Sequence, residues 1–442
     1  MYPLCVTSLA SRSRSLSLFR FSAFLALQGP EHHGSQWSGS NAGSTMQRSV
    51  GVSRALVSAV AGTVVIAASI FGAVGIGVST AGATTSTSAP PVAVAVVTPW
   101  KWQASPNPLG ATNSALQGVT CTAPTACTAV GSSGGKTLVE VWNGTAWKIQ
   151  KSPNPSGATS STLYAISCLS STACTAVGYS GGKTLVEVWN GAAWKIQKSP
   201  NPTGALNSYL QGVSCLSSTA CTAVGYSEDN LGNAVTLAEV WKGLTWTIQS
   251  TPNPTSGTLS YLFAVSCTSS TACTAVGAFY TVDNEYAALA EVWNGATWTI
   301  PLVPDAAIYG QGFSGVSCAS ATSCIAVGYS IATGTDPALV EAWNGTKWTI
   351  LTTPTPPIRG SDTLSGVSCR SSTTCTAVGA RGAGTLAEVM NGTKWTVQKS
   401  PNPTGAILSY LNGVWCPVAG TCTAAGSFER SSNLYKTLVE AN

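Results

Sequence analysis

The chain is poor in histidine, in charge and in methionine. Of 442 residues, two are His and three are Met, and 8% carry charge. Both histidines, His32 and His33, precede the repeated part of the chain. That part therefore has no imidazole to act as base, metal ligand or pH switch. Copper-oxidase chemistry and His-dependent lyase chemistry are excluded with it. A charged fraction far below the usual roughly one quarter, beside 15 Trp, argues against disorder, which needs high charge and few aromatics. It argues for many short strands and tight turns rather than helices.

A basic face is also lacking. The formal net charge of +5 arises largely from Arg12, Arg14, Arg20, Arg48 and Arg54 near the front. From Thr84 onward, 12 Lys and 4 Arg stand against 15 acidic residues. No basic stripe results, so no nucleic-acid partner is expected.

The front differs in kind from the rest. Residues 1–45 are rich in Ser, Arg and Leu and match nothing downstream. They are read as an extension, disordered or lying ahead of the true start at Met46. Residues 46–83 have the layout of an export signal. Arg48 and Arg54 give a positive start, residues 55–78 are almost wholly apolar or small, and Ala81-Gly82-Ala83 offers a cleavage site. The same run is long enough to stay as a membrane anchor. Either outcome places the downstream part outside the membrane, so the expected location is extracellular or cell-surface. Residues 84–99, beginning TTSTSAPP, read as a flexible linker.

From Trp100 to Asn442 one unit recurs seven times. Its first Cys falls at 121, 168, 215, 267, 318, 369 and 416, at spacings of 47, 47, 52, 51, 51 and 47. Four strand-like runs fill each unit: A (GVSC), B (CTAVG), C (TLAEVW) and D (WTIQ). A period near 40–50 residues with four strands marks a propeller. Asn-Gly between C and D is a strong hairpin signal, and Pro-Asn-Pro stops strand D. At Asn143, Asn344 and Asn391 the N-G-T triplet also matches a glycosylation sequon, but the turn alone demands those letters.

The last unit carries A, B and C, ending at Thr437–Glu440, with no D after it. A spare D stands first, in Trp100-Lys101-Trp102-Gln103, with Trp102 taken as equivalent to Trp147, Trp194, Trp246, Trp298, Trp348 and Trp395. The expectation is an all-β, seven-bladed β-propeller of four-stranded blades, closed when the N-terminal strand joins the last blade. Closure hides sheet edges.

The run GTLAEVMNGTKWTVQKSPNP (384–403), preceded by an AVG strand, resembles the kelch repeat. The likeness spans about 340 residues. Kelch strands end in paired Gly where this chain has one (Gly178, Gly225, Gly277), and the Cys pairs are additional. The chain also resembles secreted repeat proteins of actinomycete-like bacteria. These resemblances imply a fold and no activity.

Beyond Cys5, fourteen cysteines form seven C-x5-C pairs: Cys121/Cys127, Cys168/Cys174, Cys215/Cys221, Cys267/Cys273, Cys318/Cys324, Cys369/Cys375 and Cys416/Cys422. An even set in an exported chain reads as disulfides, here one per blade across the A–B hairpin. A metal would need four ligands where each hairpin offers two thiols.

Glu140, Glu187, Glu239, Glu291, Glu341, Glu388 and Glu440 repeat at one position of strand C. Paired carboxylates do glycoside chemistry, yet an active site would mark one or two blades. The ring of Glu is read as structural, accepting hydrogen bonds between blades. Trp pairs such as Trp189/Trp194 and Trp293/Trp298 are likewise read as packing, with Met390 as a tolerated replacement.

Function is expected where copies differ, in the B–C loops. The candidate ligand-binding residues are Tyr226, Asp229, Phe279, Tyr280, Asp283, Tyr286, Tyr329, Asp336 and Tyr435. In a propeller these loops share a face with the D–A links, opposite the disulfides. No cofactor is expected. Calcium is considered only at Glu228-Asp229-Asn230 and Asp283-Asn284-Glu285, neither of which matches a known calcium loop. The reading is a non-enzymatic exported binding module, for a polysaccharide or a surface protein. Two alternatives stay open: a glycosidase or lyase using loop carboxylates, and a purely structural surface protein. A sialidase-like site is disfavoured, because Arg359, Arg370, Arg381 and Arg430 all lie late in the chain and the S-x-D-x-G-x-T-W box is absent. Fold alone cannot choose among these.

Overall fold

The computed structural model describes residues 98–442 except 284, 307–308, 332–335, 355–360, 419 and 432–433. The expectations for segments 1–45 and 46–83, for nearly all of 84–99, and for Cys5, Asn284 and Arg359 lie outside those residues. Among the described residues, no helix is long and apolar enough to cross a membrane.

Seven four-stranded antiparallel sheets are present. The N-terminal strand is β1 (Lys101–Gln103). Blade 1 is β2 (Ser114–Ala123), β3 (Ala126–Ser133), β4 (Lys136–Trp142) and β5 (Trp147–Gln150). Blade 2 is β6 (Ser161–Ser170), β7 (Ala173–Ser180), β8 (Lys183–Trp189) and β9 (Trp194–Gln197). Blade 3 is β10 (Asn207–Ser217), β11 (Ala220–Glu228), β12 (Ala234–Trp241) and β13 (Trp246–Gln249). Blade 4 is β14 (Gly257–Ser269), β15 (Ala272–Thr281), β16 (Tyr286–Trp293) and β17 (Trp298–Thr299). Blade 5 is β18 (Gln311–Ser320), β19 (Ser323–Ser330), β20 (Leu339–Trp343) and β21 (Trp348–Ile350). Blade 6 is β22 (Asp362–Ser371), β23 (Thr374–Arg381), β24 (Gly384–Asn391) and β25 (Lys394–Gln398). Blade 7 is β26 (Leu408–Val418), β27 (Thr421–Ser431), β28 (Leu434–Ala441) and β1, in the order β1-β28-β27-β26. The expected closure by the N-terminal strand is therefore present. Strand A of each blade lies innermost, against the A strands of its neighbours.

One local feature sets the shape. Every A strand carries a β-bulge, between Leu210 and Gly212 in blade 3 and at the same place in the others. A bulge bends and twists its strand. Opposite each bulge stands the Gly of the AVG run. A Cβ added at Gly225 would overlap the Tyr209 carbonyl oxygen, and all seven such glycines face an A-strand carbonyl in this way. Just past the bulge, the inner strands approach one another around the axis. A Cβ on Gly366 would meet the Gly413 Cα at 3.0 Å, and one on Gly413 would meet the Gly118 Cα at 3.3 Å. Blade 7 thus packs on blade 1 as blade 6 packs on blade 7, and the ring is closed.

Each seam between blades is apolar at its centre. Between blades 1 and 2, Val130 and Val139 pack on Leu163, Ala176, Leu185 and Trp194. Polar latches then fix the seam at both edges. In the Ser-Pro-Asn-Pro links, the serine hydroxyl donates to the strand-C Glu of the next blade: Ser105 to Glu140 (2.6 Å), Ser152 to Glu187 (2.7 Å), Ser199 to Glu239 (2.6 Å) and Ser400 to Glu440 (2.5 Å). At the rim, the strand-D Trp indole donates to the preceding blade's strand-D Gln, as Trp194 does to Gln150 (2.6 Å) and Trp246 to Gln197 (2.9 Å). Where the repeat changes, these bonds go. Pro301 and Leu351 replace Gln, and the indole nitrogens of Trp348 and Trp395 are left without partners. Thr251, Val303 and Thr353 replace Ser, and the carboxyl oxygens of Glu291, Glu341 and Glu388 accept no hydrogen bond from those links.

Trp102 is not the strand-D tryptophan. The equivalent residue is Trp100, which is 4% exposed and donates to Gln398 at 2.8 Å, whereas Trp102 is 50% exposed. The register decides it. Trp102 faces Glu440 as Ile149 faces Glu140, and Gln103 accepts from the Trp147 indole as Gln150 accepts from that of Trp194. The W-x-x-Q spacing contained this assignment. The A and B strands also run longer than GVSC and CTAVG, because cross-strand pairing continues past the bulge toward the B–C loops.

All seven expected disulfides are formed. They are Cys121–Cys127, Cys168–Cys174, Cys215–Cys221, Cys267–Cys273, Cys318–Cys324, Cys369–Cys375 and Cys416–Cys422, with Cα atoms 3.9 to 4.1 Å apart. Each joins the start of its A–B turn to the end, so the pairing follows from the hairpin itself. Closing so short a loop contributes about 2 kcal/mol each by chain entropy.

This packing has two measurable consequences. Trp100→Ala should lower stability by about 3 kcal/mol, and Trp102→Ala by less than about 1 kcal/mol, read from denaturant midpoints. The seven Glu are fully buried, and burial raises their carboxyls from an ordinary 4.5 to about 7 in Glu140, Glu187, Glu239, Glu388 and Glu440 and to about 8 in Glu291 and Glu341. Between 4.5 and those values the folded chain holds protons that the unfolded chain has released. Stability should therefore fall as pH rises from about 5 to 8 and level off above. A melting temperature that is flat or rises across this window would overturn the assignment.

Candidate functional site

Two facing positions on strands A and B, beside the B–C loops, break the sevenfold symmetry. From blade 1 to blade 7 the pairs are Ala115/Ser132, Thr162/Tyr179, Tyr209/Tyr226, Tyr261/Ala278, Gly312/Tyr329, Thr363/Ala380 and Tyr410/Ser427. Blades 1 and 6 have small residues at both places. Blades 2 to 5 carry tyrosines, and those of blades 2, 3 and 4 meet across the seams.

The rings form a continuous ribbon. Tyr179 stacks on Tyr209 at 4.6 Å between centroids, and Tyr209 stacks on Tyr226 at 4.7 Å. Tyr226 meets Tyr261 edge-on at 4.8 Å, and Tyr261 lies parallel to Phe263 at 6.1 Å. Tyr280 and Tyr286 form a further T-shaped pair at 4.9 Å. Offset and edge-on arrangements suit the ring quadrupole. Tyr329 continues the series in blade 5, made possible by Gly312. An added Cβ there would stand 2.9 Å from the Tyr329 hydroxyl.

The bulge residue of strand A sits beside this ribbon. In blades 2, 3 and 4 it is Tyr164, Gln211 and Phe263. Gln211 is 5% exposed, and its Oε1 has no partner among the described residues.

One carboxylate faces the phenols. Glu228 accepts from Asn207 Nδ2 at 3.3 Å, and burial raises its carboxyl above the usual range. Burial first, then the Glu228 charge and neighbouring phenols, hold Tyr209 well above an ordinary tyrosine. Burial and the charges around them raise Tyr226 and Tyr261 in the same sense.

The residues singled out in the loops are distributed unevenly. Tyr226, Tyr280, Tyr286 and Tyr329 stand on strands β11, β15, β16 and β19 rather than in the B–C loops, and belong to the ribbon or its continuation. Phe279 points to the other side of its strand, packed against the seam core and Gly257. Asp229 uses both oxygens within its own loop, accepting from Leu231 N (2.8 Å), Asn233 N (3.0 Å) and Asn233 Nδ2 (2.8 Å). Those bonds, the Asn233 side chain first, lower its carboxyl below the usual range. Asp283 is exposed in the blade 4 loop. The Asp336 carbonyl accepts from Asp362 N at 2.9 Å, joining blades 5 and 6. Tyr435 lies in blade 7, where its hydroxyl donates to Glu429 at 3.4 Å. Among the described residues, no cluster of three or more His, Cys, Asp and Glu could hold a metal ion.

Tyr179, Tyr209, Tyr261, Tyr164 and Phe263 are the members that loop-based reasoning missed. They lie on strands, most of them farther in sequence from the B–C loops than Tyr226, Tyr280, Tyr286 and Tyr329, and a copy-by-copy comparison at those positions would have found them. Blade 6 shows another such departure. Asp362 and Arg381 replace the Ser114–Ser133 type of pair, with Arg381 Nε donating to Asp362 Oδ1 at 2.8 Å and Glu388 3.9 Å from the guanidinium.

No protein-family model and no curated protein matches the chain. Among solved structures, YCF48 from Cyanidioschyzon merolae is similar with a TM-score of 0.48 and 13% identity, over 78% of this chain and 98% of its own. The extracellular domain of the putative one component system BT4673 from B. thetaiotaomicron gives 0.47 and 8%, over 76% of this chain and 39% of its own. A mutant of AofleA from Arthrobotrys oligospora gives 0.43 and 13%, over 69% and 92%. Likenesses this distant carry no functional argument. The propeller rests on strand pairing, and the kelch resemblance rests on the strand motif alone.

Spectrophotometric titration of the 12 tyrosines should show a group that ionises well after free tyrosine, including Tyr410, pushed up to about 12. Tyr226→Phe should remove one phenol from that late group. Ionisation of all phenols near 10 would contradict the burial described.

Proposed function

We propose that this chain is an exported, non-enzymatic binding module that holds a polysaccharide along the aromatic ribbon of blades 2 to 5. The observation that carries the reading is the asymmetry. Neighbouring rings run unbroken from Tyr179 to Phe263, while the same positions in blades 1 and 6 are small. Packing alone would repeat in every blade, as the strand-D Trp does. Aromatic faces and phenol hydroxyls together suit a ligand that is apolar on ring faces and polar at their edges. Seven disulfides support an oxidising compartment. Glycoside hydrolysis uses two facing carboxylates, and among the described residues the phenols face one, Glu228. The reading is therefore binding rather than turnover.

The test is an array of glycans and bacterial cell-wall polymers probed with the full chain, with and without calcium. Saturable binding to a polymer, weakened roughly tenfold or more by Tyr209→Ala with Tyr261→Ala, is expected. A folded protein that binds nothing on the array, or binds equally after both substitutions, would defeat the proposal.

A further inference from the structure

The opposite face, where the disulfides lie, holds a second departure from the repeat. In blades 2, 3 and 4 the strand-C Trp indole donates to the A–B turn of its own blade: Trp189 to Ser171 O (3.2 Å), Trp241 to Ser218 O (3.1 Å) and Trp293 to Ser270 O (3.1 Å). Blade 1 differs. Its turn reads Ala123-Pro124 in place of Ser-Ser, and the Trp142 indole forms no such bond to its turn among the described residues; the Trp343 indole of blade 5 is likewise without a partner.

Beside the Trp142 indole is a groove of about 210 Å³ in the seam between blades 1 and 2. Trp142 and Trp189 supply its aromatic walls, and Thr122, Thr128, Ser170 and Gln150 supply hydroxyls and an amide. The same seam recurs between blades 2 and 3 and between blades 3 and 4 with two changes in its lining, the lesser being Thr120 to Ser167 and Ser214. The residue after the first Cys, Thr122 here, is Leu169 in the next seam and Leu216 in the one after. Both leucines are partly exposed, at 42% and 39%, and a branched aliphatic side chain at that point occupies space that threonine leaves open.

We propose that this groove binds a single pyranose residue, its apolar ring face on Trp142 and its hydroxyls toward Thr122, Ser170 and the Trp142 indole nitrogen. The assignment is independent of the ribbon, which lies on the other face. An indole wall, an unpaired donor and a hydroxyl rim are the complement of a sugar ring. A purely aliphatic ligand would leave the indole donor without a partner on desolvation.

The test uses the full chain and a panel of methyl glycosides of glucose, galactose, mannose, fucose and N-acetylglucosamine. Binding is followed by tryptophan fluorescence and saturation-transfer NMR. Thr122→Leu installs the residue that the neighbouring seams already accommodate, so folding should be retained and is checked by the unfolding midpoint. The expected result is saturable binding of at least one glycoside, weakened about tenfold or more in Thr122→Leu. If no glycoside saturates, or if Thr122→Leu binds as tightly as the parent, the proposal is wrong. Loss in Tyr209→Ala with retention in Thr122→Leu would assign the binding to the ribbon and equally overturn it.

Discussion

The close approach of seven inner strands around one axis is the constraint on which everything else depends. Strand A must bend at the same point in every blade, and it does so through a bulge. The bulge thrusts a carbonyl toward strand B, and only glycine can face it there. The residue just past the bulge must also be small, because the next blade's backbone lies at van der Waals distance. The AVG and GVSC runs are thus two halves of one steric requirement. The single Gly of strand B, which sets this repeat apart from the kelch pattern, has its physical reason here.

Latches then turn a crowded ring into a specific one. A buried carboxyl on strand C receives a hydroxyl from the preceding link, and a strand-D indole reaches the preceding glutamine. Both bonds run between blades, so each blade orients its neighbour. The sector from blade 4 to blade 6 has lost several of them. Its links contain Val303, Pro301 and Leu351 where the repeat would have Ser and Gln. Those seams depend more on apolar packing, and blade 6 adds an Asp362–Arg381 ion pair found in no other blade among the described residues.

Most of the architecture was legible in the sequence, because periodic copies of one unit expose their own strand boundaries. Seven cysteine pairs, four runs per unit and a divided last unit led directly to the ring. What misled was local similarity without register. Trp102 looks like a strand-D tryptophan until Gln103 is aligned with Gln150, after which Trp100 takes the buried place. The candidate site was legible only in part. Attention to variable loops found Tyr226, Tyr280, Tyr286 and Tyr329 but passed over Tyr209 and Tyr261. Strand residues look invariant when copies are compared by pattern, and they differ only when compared position by position. Trp142 was hidden in a similar way, since its letter recurs through blades 1 to 5 although its hydrogen bond does not.

The three-residue strand β1 has a kinetic meaning. Ser105 bonds Thr437 across 332 residues of chain, and the pairing of β1 with β28 spans a similar distance. Blades 1 to 6 can form in order from short-range hairpins as the chain emerges, but blade 7 cannot be completed until its last strand is available. Until then β1 and Trp100 have nowhere to dock, and the open edges of blades 1 and 7 remain exposed. Folding should therefore end in a single long-range closure, slow in the way that distant strand pairing is slow. In an oxidising compartment the short-range disulfides can stabilise the individual A–B hairpins throughout that wait.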